Sequence, residues 1–334
     1  MSDAGLTVAV TGPTGTFGFG LIPLLEADPR IERVVGIARR PFDPSDHGWS
    51  KLDYRRGDVR DPDALREAFA GVDVVVHLAF MITGTASRET IRNINVEGTL
   101  NAFRAAVDAG ADRFVYASSV AAYGFHPDNP VGMTEEWPVR PASRLFYAQE
   151  KAELEQLLRE QADANPGLSV YLLRPPIVLG PHAMGAKNIL PEPLAGLVQG
   201  ALDFANRLPV PIPVPTPDLP MQFIHEDDVG GALLKCVVAD GPPGAYNIAG
   251  DGIVTAADVV RELGFTPLTV PAGIAQGAAR AASQVPLPSF APPAAEWVEA
   301  ASHPAIMDIT KAKRELGWTP TYTGLEALRE TLKR

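Results

Sequence analysis

The chain has 334 residues, 46% hydrophobic and 21% charged, the profile of a folded globular protein of about two domains and not of a disordered or collagen-like one. Its 29 Lys and Arg against 40 Asp and Glu leave a net charge of −11, so its field repels phosphate backbones and anionic lipid surfaces, and neither nucleic acid nor membrane is an expected partner. The single cysteine, Cys236, excludes an intrachain disulfide and a multi-thiolate metal site, and no stretch has the length and apolarity of a membrane span or signal segment, so the expected setting is cytoplasmic.

Leu6 to Val10 reads as a short strand, followed by a glycine loop, a helical pattern over Phe17 to Ala27 and a second strand over Arg33 to Ala38. Val72 to Leu78 is nearly all apolar, which suits a strand buried on both faces of a parallel sheet. Arg113 to Ala117 and Leu168 to Leu173 repeat the theme, with helical spacing at Asn93 to Ala109 and Ser143 to Gln161. This alternation predicts an α/β fold, a doubly wound parallel sheet of the Rossmann kind over residues 1–178. From about Leu179 onward, prolines at Pro209 to Pro217 and Pro286 to Pro293 mark a smaller carboxyl-terminal substrate-binding lobe, residues 179–334. A strand and helix at about 221–249 are expected to return to the first domain. Further helices are expected at Ala272 to Ala282, Ala294 to Ala301, Lys311 to Leu316 and Leu325 to Lys333.

Thr11-Gly12-Pro13-Thr14-Gly15-Thr16-Phe17-Gly18 follows a strand and opens a helix. In that context Gly12 permits the tight turn, Gly15 lets backbone N–H groups approach a pyrophosphate, and Gly18 lets the helix pack close to the sheet. An acid about 20 residues beyond the last glycine usually holds the adenosine ribose. Here Ala38 stands there and Arg39 and Arg40 follow, guanidinium groups that suit a 2′-phosphate, so NADP(H) is favoured while NAD(H) stays possible. Two arginines after a strand are also common as solvated loop charges.

Tyr147 and Lys151 are four residues apart in a helical pattern and so share a face. An isolated tyrosine ionises near pH 10 and is a poor base at neutral pH. One ammonium at about 4 Å, at an effective dielectric near 20, supplies ~4 kcal/mol toward the phenolate, so Lys151 is expected to lower the Tyr147 pKa. Ser119 follows a strand at its carboxyl end, where open α/β sheets bind ligands, and Asn95 starts or lines the preceding long helix, placed to hold a water or a backbone carbonyl in a proton path. Alone, a Tyr-x-x-x-Lys spacing is often a surface pair.

Taken together these motifs resemble the extended branch of the short-chain dehydrogenase/reductase superfamily, of the NAD-dependent epimerase/dehydratase type. The resemblance rests on Thr11 to Gly18, Gly57-Asp58-Val59-Arg60-Asp61, His77-Leu78-Ala79, Asn95-Val96-Glu97-Gly98-Thr99, Ser119 before Tyr123-Gly124, Tyr147 to Lys151 and Leu173-Arg174-Pro175-Pro176. Phe223 to Val229, Tyr246-Asn247-Ile248 and Leu316 to Pro320 extend it into the second lobe. It implies that Tyr147 exchanges a proton with the substrate oxygen, that Ser119 bonds the same oxygen, and that Lys151 holds the nicotinamide ribose. It further implies cofactor contacts from Gly12, Thr14, Gly15, Thr16, Phe17, Asp58 at the adenine, Val59, Leu78, Ala79, Pro175 and Ile177, and a homodimer built on the two long helices.

Two departures narrow the expected chemistry. Sugar-nucleotide dehydratases carry an acidic pair after the serine or threonine of the fifth strand, where this chain has Val120 and Ala121. Nucleotide-sugar epimerases present an arginine just before Phe223, where this chain has Pro220-Met221-Gln222, leaving Arg207, Lys187 or Arg280 as substitutes. With Phe80, Met81 and Ile82 forming an apolar wall, Met81, Ser119, Val120, Tyr147 and His182 are the expected substrate contacts. His77 reads as structural, and no metal site is expected. The favoured reading is an NAD(P)-dependent oxidoreductase acting on a carbonyl or secondary alcohol of a mostly apolar small molecule. Its rivals are a nucleotide-sugar epimerase with tightly bound NAD and a non-catalytic NADP(H)-binding sensor.

Overall fold

The computed structural model describes residues 5–82, 87–183, 213–270 and 303–333; the helices expected at 272–282 and 294–301, and Lys187, Arg207 and Arg280, lie outside them. The strands β1 (Leu6–Thr11), β2 (Ile31–Ala38), β3 (Leu52–Arg56), β4 (Val74–His77), β5 (Arg113–Ala117), β6 (Ser169–Arg174) and β11 (Gly244–Asn247) make one sheet. Their order is 3-2-1-4-5-6-11 and every pairing is parallel. Val74, Val75, Val76 and His77 are all buried, as a central strand with helices on both faces requires. The order reverses between β1 and β4, and the crevice outside the carboxyl ends at that switch is where such sheets take ligands.

One face of the sheet carries α1 (Thr16–Ala27) and α6 (Glu226–Val237), which share a core with Leu21, Ile22, Val229 and Leu233. The other carries α2 (Pro62–Ala68), α4 (Gly98–Asp108) and α5 (Phe146–Ala164), packed over Phe69, Phe103 and Leu154. The single helix expected over Asn93 to Ala109 is interrupted: α3 (Arg88–Arg92) runs into a wide π turn at Asn93–Glu97 before α4 begins. The remaining described strands form three two-stranded sheets: β7 (Ile177–Leu179) with β10 (Phe223–His225), β9 (Pro220–Met221) with β12 (Val254–Thr255), and β8 (Pro213–Pro217) with β13 (Thr266–Val270). With α7 (Ala256–Glu262), α8 (Thr310–Glu315) and α9 (Gly324–Leu332) they complete the described elements. The proline-rich β8 stays out of the large sheet, since proline cannot donate to a ladder.

Helices α1 and α6 meet backbone to backbone. A Cβ on Gly230 would lie 2.0 Å from the Gly20 carbonyl oxygen, and one on Gly20 would lie 2.1 Å from that of Glu226. The α1 helix is thereby held at a fixed height over β1, which sets the position of the glycine loop. Gly230→Ala is expected to cost about 1–3 kcal/mol through overpacking, read as a lower urea midpoint at unchanged m-value. Gly231→Ala is the control: its Cβ would meet only Trp318, at 3.5 Å, and its stability should be equal to the parent or higher.

Candidate active site

The glycine loop forms the floor of the crevice. Gly12 adopts φ +69, donates its N–H to the Ile37 carbonyl at 2.9 Å, and has room for no side chain because a Cβ would stand 3.0 Å from the Ala79 nitrogen. At Gly18 the close approach is tighter, with a Cβ only 2.1 Å from the Pro13 carbonyl oxygen. Gly15 opens α1 in an extended conformation, and no side chain caps that end, so the first backbone N–H groups of α1, with the helix dipole behind them, suit an anion. Thr14, Thr16 and Phe17 stay partly open around this turn. A dinucleotide pyrophosphate fits this cradle: the backbone of the turn is bare, and the two close approaches leave no room for side chains that would fill it.

At the adenosine end, Arg39 and Arg40 are exposed. Neither pairs with a carboxylate among the described residues. The backbone carbonyls beneath them are held, Arg39 by the Arg56 Nε at 3.1 Å and Arg40 by the Tyr54 hydroxyl. Asp58 is clasped by Arg60, Nε to Oδ1 at 3.1 Å and Nη2 to Oδ2 at 2.7 Å, which with Arg39 nearby holds its carboxyl below the ordinary carboxylate range. Val59 is buried against Gly98. Pro175 is buried and accepts the Val120 N–H at 2.9 Å, whereas Ile177 is half exposed on β7.

The exit of β4 is tied down by two polar side chains. The Thr11 hydroxyl oxygen accepts the N–H groups of Leu78 at 3.1 Å and Ala79 at 3.2 Å. Asn95, brought inward by the π turn, accepts the Met81 N–H at 2.7 Å and donates to the Met81 carbonyl at 3.0 Å and to Glu150 Oε2 at 2.7 Å. Its amide thus holds a backbone carbonyl, one of the two partners expected of it, and fixes Met81 by both its N–H and its carbonyl. His77 bridges Thr11 and Thr99 at 2.9 and 3.0 Å, and burial pushes its pKa down to about 3, so it stays neutral, as its structural reading requires.

Ser119, Tyr147 and Lys151 converge at the carboxyl end of β5. Ser119, buried, caps the turn at Val120–Tyr123 by accepting the Ala121 N–H, and its side chain hydrogen-bonds Tyr147. Lys151 is 4% exposed; its Nζ donates to the Ala117 carbonyl at 2.6 Å and to the Tyr116 hydroxyl at 3.1 Å, and lies 3.6 Å from the centroid of Phe80. The Phe80 ring meets Tyr147 edge-on at 5.6 Å. The structure reverses the expected electrostatics of the pair. Burial pushes the Tyr147 pKa up to about 12, with only the Ser119 hydrogen bond opposing it. The Lys151 ammonium is turned to Ala117 and Tyr116, 5.9 Å from the Tyr147 centroid, and burial pulls its own pKa down to about 7 against the pull of Glu150 and Glu155. Desolvation, not Coulomb attraction, dominates both groups.

A buried network unassigned by the sequence reading braces this site. Arg174 forks onto Glu155 at 2.8 and 2.5 Å, Ser118 donates to the same carboxylate at 2.6 Å, and Arg174 Nη1 meets the Tyr123 hydroxyl, which donates to Asn247 at 2.8 Å. Burial opposes the Glu155 charge, yet Arg174 and Ser118 keep its carboxyl below the ordinary range. Glu155 is four residues beyond Lys151, so the stripe Tyr147, Lys151, Glu155 on the sheet-facing side of α5 was the available signal. Val120 packs in a small apolar cluster with Tyr123, Met133 and Met307. His182 sits at the other end of the crevice: its carbonyl accepts the Thr16 hydroxyl at 2.9 Å, Nδ1 meets Glu226 at 2.7 Å, and its ring stacks on Phe19 at 4.3 Å. Gln222 exchanges two hydrogen bonds with the Met307 backbone, at 3.0 and 2.8 Å. Among the described residues no cluster of potential metal ligands occurs, and no helix is long and apolar enough to cross a membrane.

Comparison with known proteins agrees with this geometry. Residues 8–249 match the model of the NAD dependent epimerase/dehydratase family. An uncharacterised protein, y4nG, of Sinorhizobium fredii is 30% identical over 97% of this chain and 77% of its own length. Sterol demethylase protein B of Methylococcus capsulatus is 32% identical over 60% of this chain and 62% of its own. The crystal structure of gox2253 superposes with a TM-score of 0.74 over 98% of this chain and 96% of that one, at 24% identity, a likeness of fold.

The buried ammonium has a thermodynamic signature. The unfolded chain holds the Lys151 proton up to pH 10.5 and the folded chain only to about 7, so between those values the unfolded state binds more protons and stability rises with pH. Parent stability is expected to rise between about pH 7 and pH 10.5, and Lys151→Met, which has no proton to lose there, is expected to flatten that rise, measured by denaturant unfolding across that range.

Proposed function

The chain belongs to the NAD-dependent epimerase/dehydratase family, and from that premise we propose that it is an NAD(P)-dependent oxidoreductase that reduces a carbonyl on a mostly apolar small molecule. The observation that carries this reading is the Ser119–Tyr147 hydroxyl pair set beside an apolar wall of Phe80 and Met81. Burial keeps Tyr147 a phenol at neutral pH, which suits a group that donates a proton to an oxygen gaining negative charge. Ser119 orients that phenol and meets the same oxygen, so both donors aim where charge develops. When bound, the nicotinamide dinucleotide supplies the hydride, chemistry that no side chain here provides.

The side chains also speak to what the site does not do. Val120 stands where dehydration needs an acid and is packed in an apolar cluster. Gln222, at the place of the diphosphate-binding arginine, is spent on the Met307 backbone. The name of the Methylococcus relative, a sterol demethylase protein, is in keeping with an apolar substrate. The bare guanidinium groups of Arg39 and Arg40, with no acid at the end of β2, favour NADP(H). In keeping with the family resemblance we also propose a cytoplasmic homodimer joined through α4 and α5.

The test is nicotinamide-linked turnover across apolar ketones, aldehydes and secondary alcohols, with UDP-sugars as the competing class. Turnover of the first class supports the reading; conversion of UDP-sugars alone establishes the epimerase instead, and cofactor binding without any turnover establishes the sensor. Tyr147→Phe is expected to lower the rate by about 10²–10⁴-fold with cofactor affinity unchanged by fluorescence titration. Replacing Arg39 and Arg40 together by alanine should lower kcat/KM for NADPH by roughly tenfold or more, the loss of one or two charge-assisted contacts, and leave that for NADH within about twofold.

A further inference from the structure

Glu150 is a buried acid with no place in the chemistry above. It is 1% exposed, its Oε2 accepts one hydrogen bond from the neutral Asn95 amide, and among the described residues its Oε1 is buried with no partner. Leaving a carboxylate oxygen in that condition is costly, and such groups persist where they do something. Glu150 directly precedes Lys151, a cation that is itself buried and, among the described residues, hydrogen-bonded to a carbonyl and a phenol alone.

The charges around the pair single Glu150 out. Lys151 is faced by His77 from β4 and Tyr116 from β5, both neutral, and by Tyr147, Glu150 and Glu155 from its own helix. The Glu155 charge is matched by the buried Arg174, at 2.5 Å, and by Arg159, at 2.9 Å. Glu150 is faced by Arg92 from α3 and Asn95 from the π turn, and by Glu153 and Lys151 from α5. Arg92 is already bound by Glu153, at 2.6 and 2.7 Å. Of the two carboxylates whose field reaches Lys151, Glu150 alone has no hydrogen-bonded cation of its own among the described residues.

We propose that Glu150 is a positioning residue for the nicotinamide reaction: its carboxylate is the counter-charge that keeps the buried Lys151 an ammonium, and so keeps that cation hydrogen-bonded to Ala117 and Tyr116 at the end of β5. The inference rests on the reading of Lys151 as part of the site. The bare oxygen is the mark of that role, because a tightly satisfied carboxylate would have its field cancelled locally.

The test follows Lys151 directly. Full-length protein labelled with ¹³Cε-lysine is titrated by NMR, with and without saturating NADP⁺, the Lys151 signal being assigned by its loss in Lys151→Arg. Glu150→Gln is expected to move the Lys151 titration down by about one pH unit or more, Glu150→Asp to restore most of it, and Glu153→Gln, on the same helix but paired to Arg92, to leave it in place. In turnover assays Glu150→Gln should lower kcat at pH 7, with activity lost at a lower pH than in the parent and KM changed less than kcat. If Glu150→Gln does not fold, a Glu150→Asp shift of at least a few tenths of a pH unit supports the same conclusion. An unmoved Lys151 titration in the folded Gln variant, or in the Asp variant if the Gln variant does not fold, overturns it, even where turnover is lost. Because the NMR readout needs no substrate, it stands or falls separately from the identity of the reaction.

Discussion

Taking an ammonium out of water is the constraint around which this molecule is arranged. Lys151 is buried where β5 ends, and the cost of removing its hydration shell is met by a carbonyl, a phenol, the face of Phe80 and the fields of two acids. Apart from Phe80, these partners stand on regular elements. Ala117 and Tyr116 belong to β5, and Glu150 and Glu155 to α5, so the cation is placed by the sheet and the helix rather than by a loop. That placement is what brings Tyr147, one turn earlier, against Ser119.

The same rigidity recurs at the glycine loop. Its conformation depends on three close backbone approaches, Gly12 to Ala79, Gly18 to Pro13 and Gly20 to Glu226, that no side chain could share. Thr11 ties the opposite wall by accepting from Leu78 and Ala79. The floor and the wall of the crevice are thus joined through Thr11 and the backbone of Leu78 and Ala79, an arrangement that holds the dipoles lining it in fixed directions.

Much of this was legible from residue order, because it depends on periodicity. The sheet strands follow from short apolar runs, the glycine loop from glycines three apart between a strand and a helix, and the shared face of Tyr147 and Lys151 from a spacing of four, and the structure has these elements within a few residues of the expected ranges. What was not legible depends on three-dimensional neighbours. Asn95 was expected to hold a water or a backbone carbonyl, and that the carbonyl is the one of Met81 follows from a π turn, which no periodicity announces. Glu150 beside a lysine on a polar-looking helix reads as a solvated charge until the fold buries it. The direction expected for Tyr147 differs for the same reason: an attraction follows from two opposite charges at a guessed distance, whereas desolvation follows from how many atoms surround each group, and only the fold supplies that, for Tyr147 and for Lys151 alike.

A site in which desolvation outweighs attraction works differently from the one first imagined. If Lys151 had simply stabilised a phenolate, Tyr147 would be poised as a base, and a removed ammonium would matter mainly through that one pKa. Here the phenol is kept protonated by its surroundings, and the cation is balanced near neutrality between burial and two carboxylates, one of them committed to Arg174. Burial is what most opposes the Lys151 charge, and the fields of Glu150 and Glu155 are what support it. The consequence is that ionisation of Tyr147 is opposed by the same burial that lowers the Lys151 pKa, so the charge states of the two groups are set by the fold around them before they are set by each other.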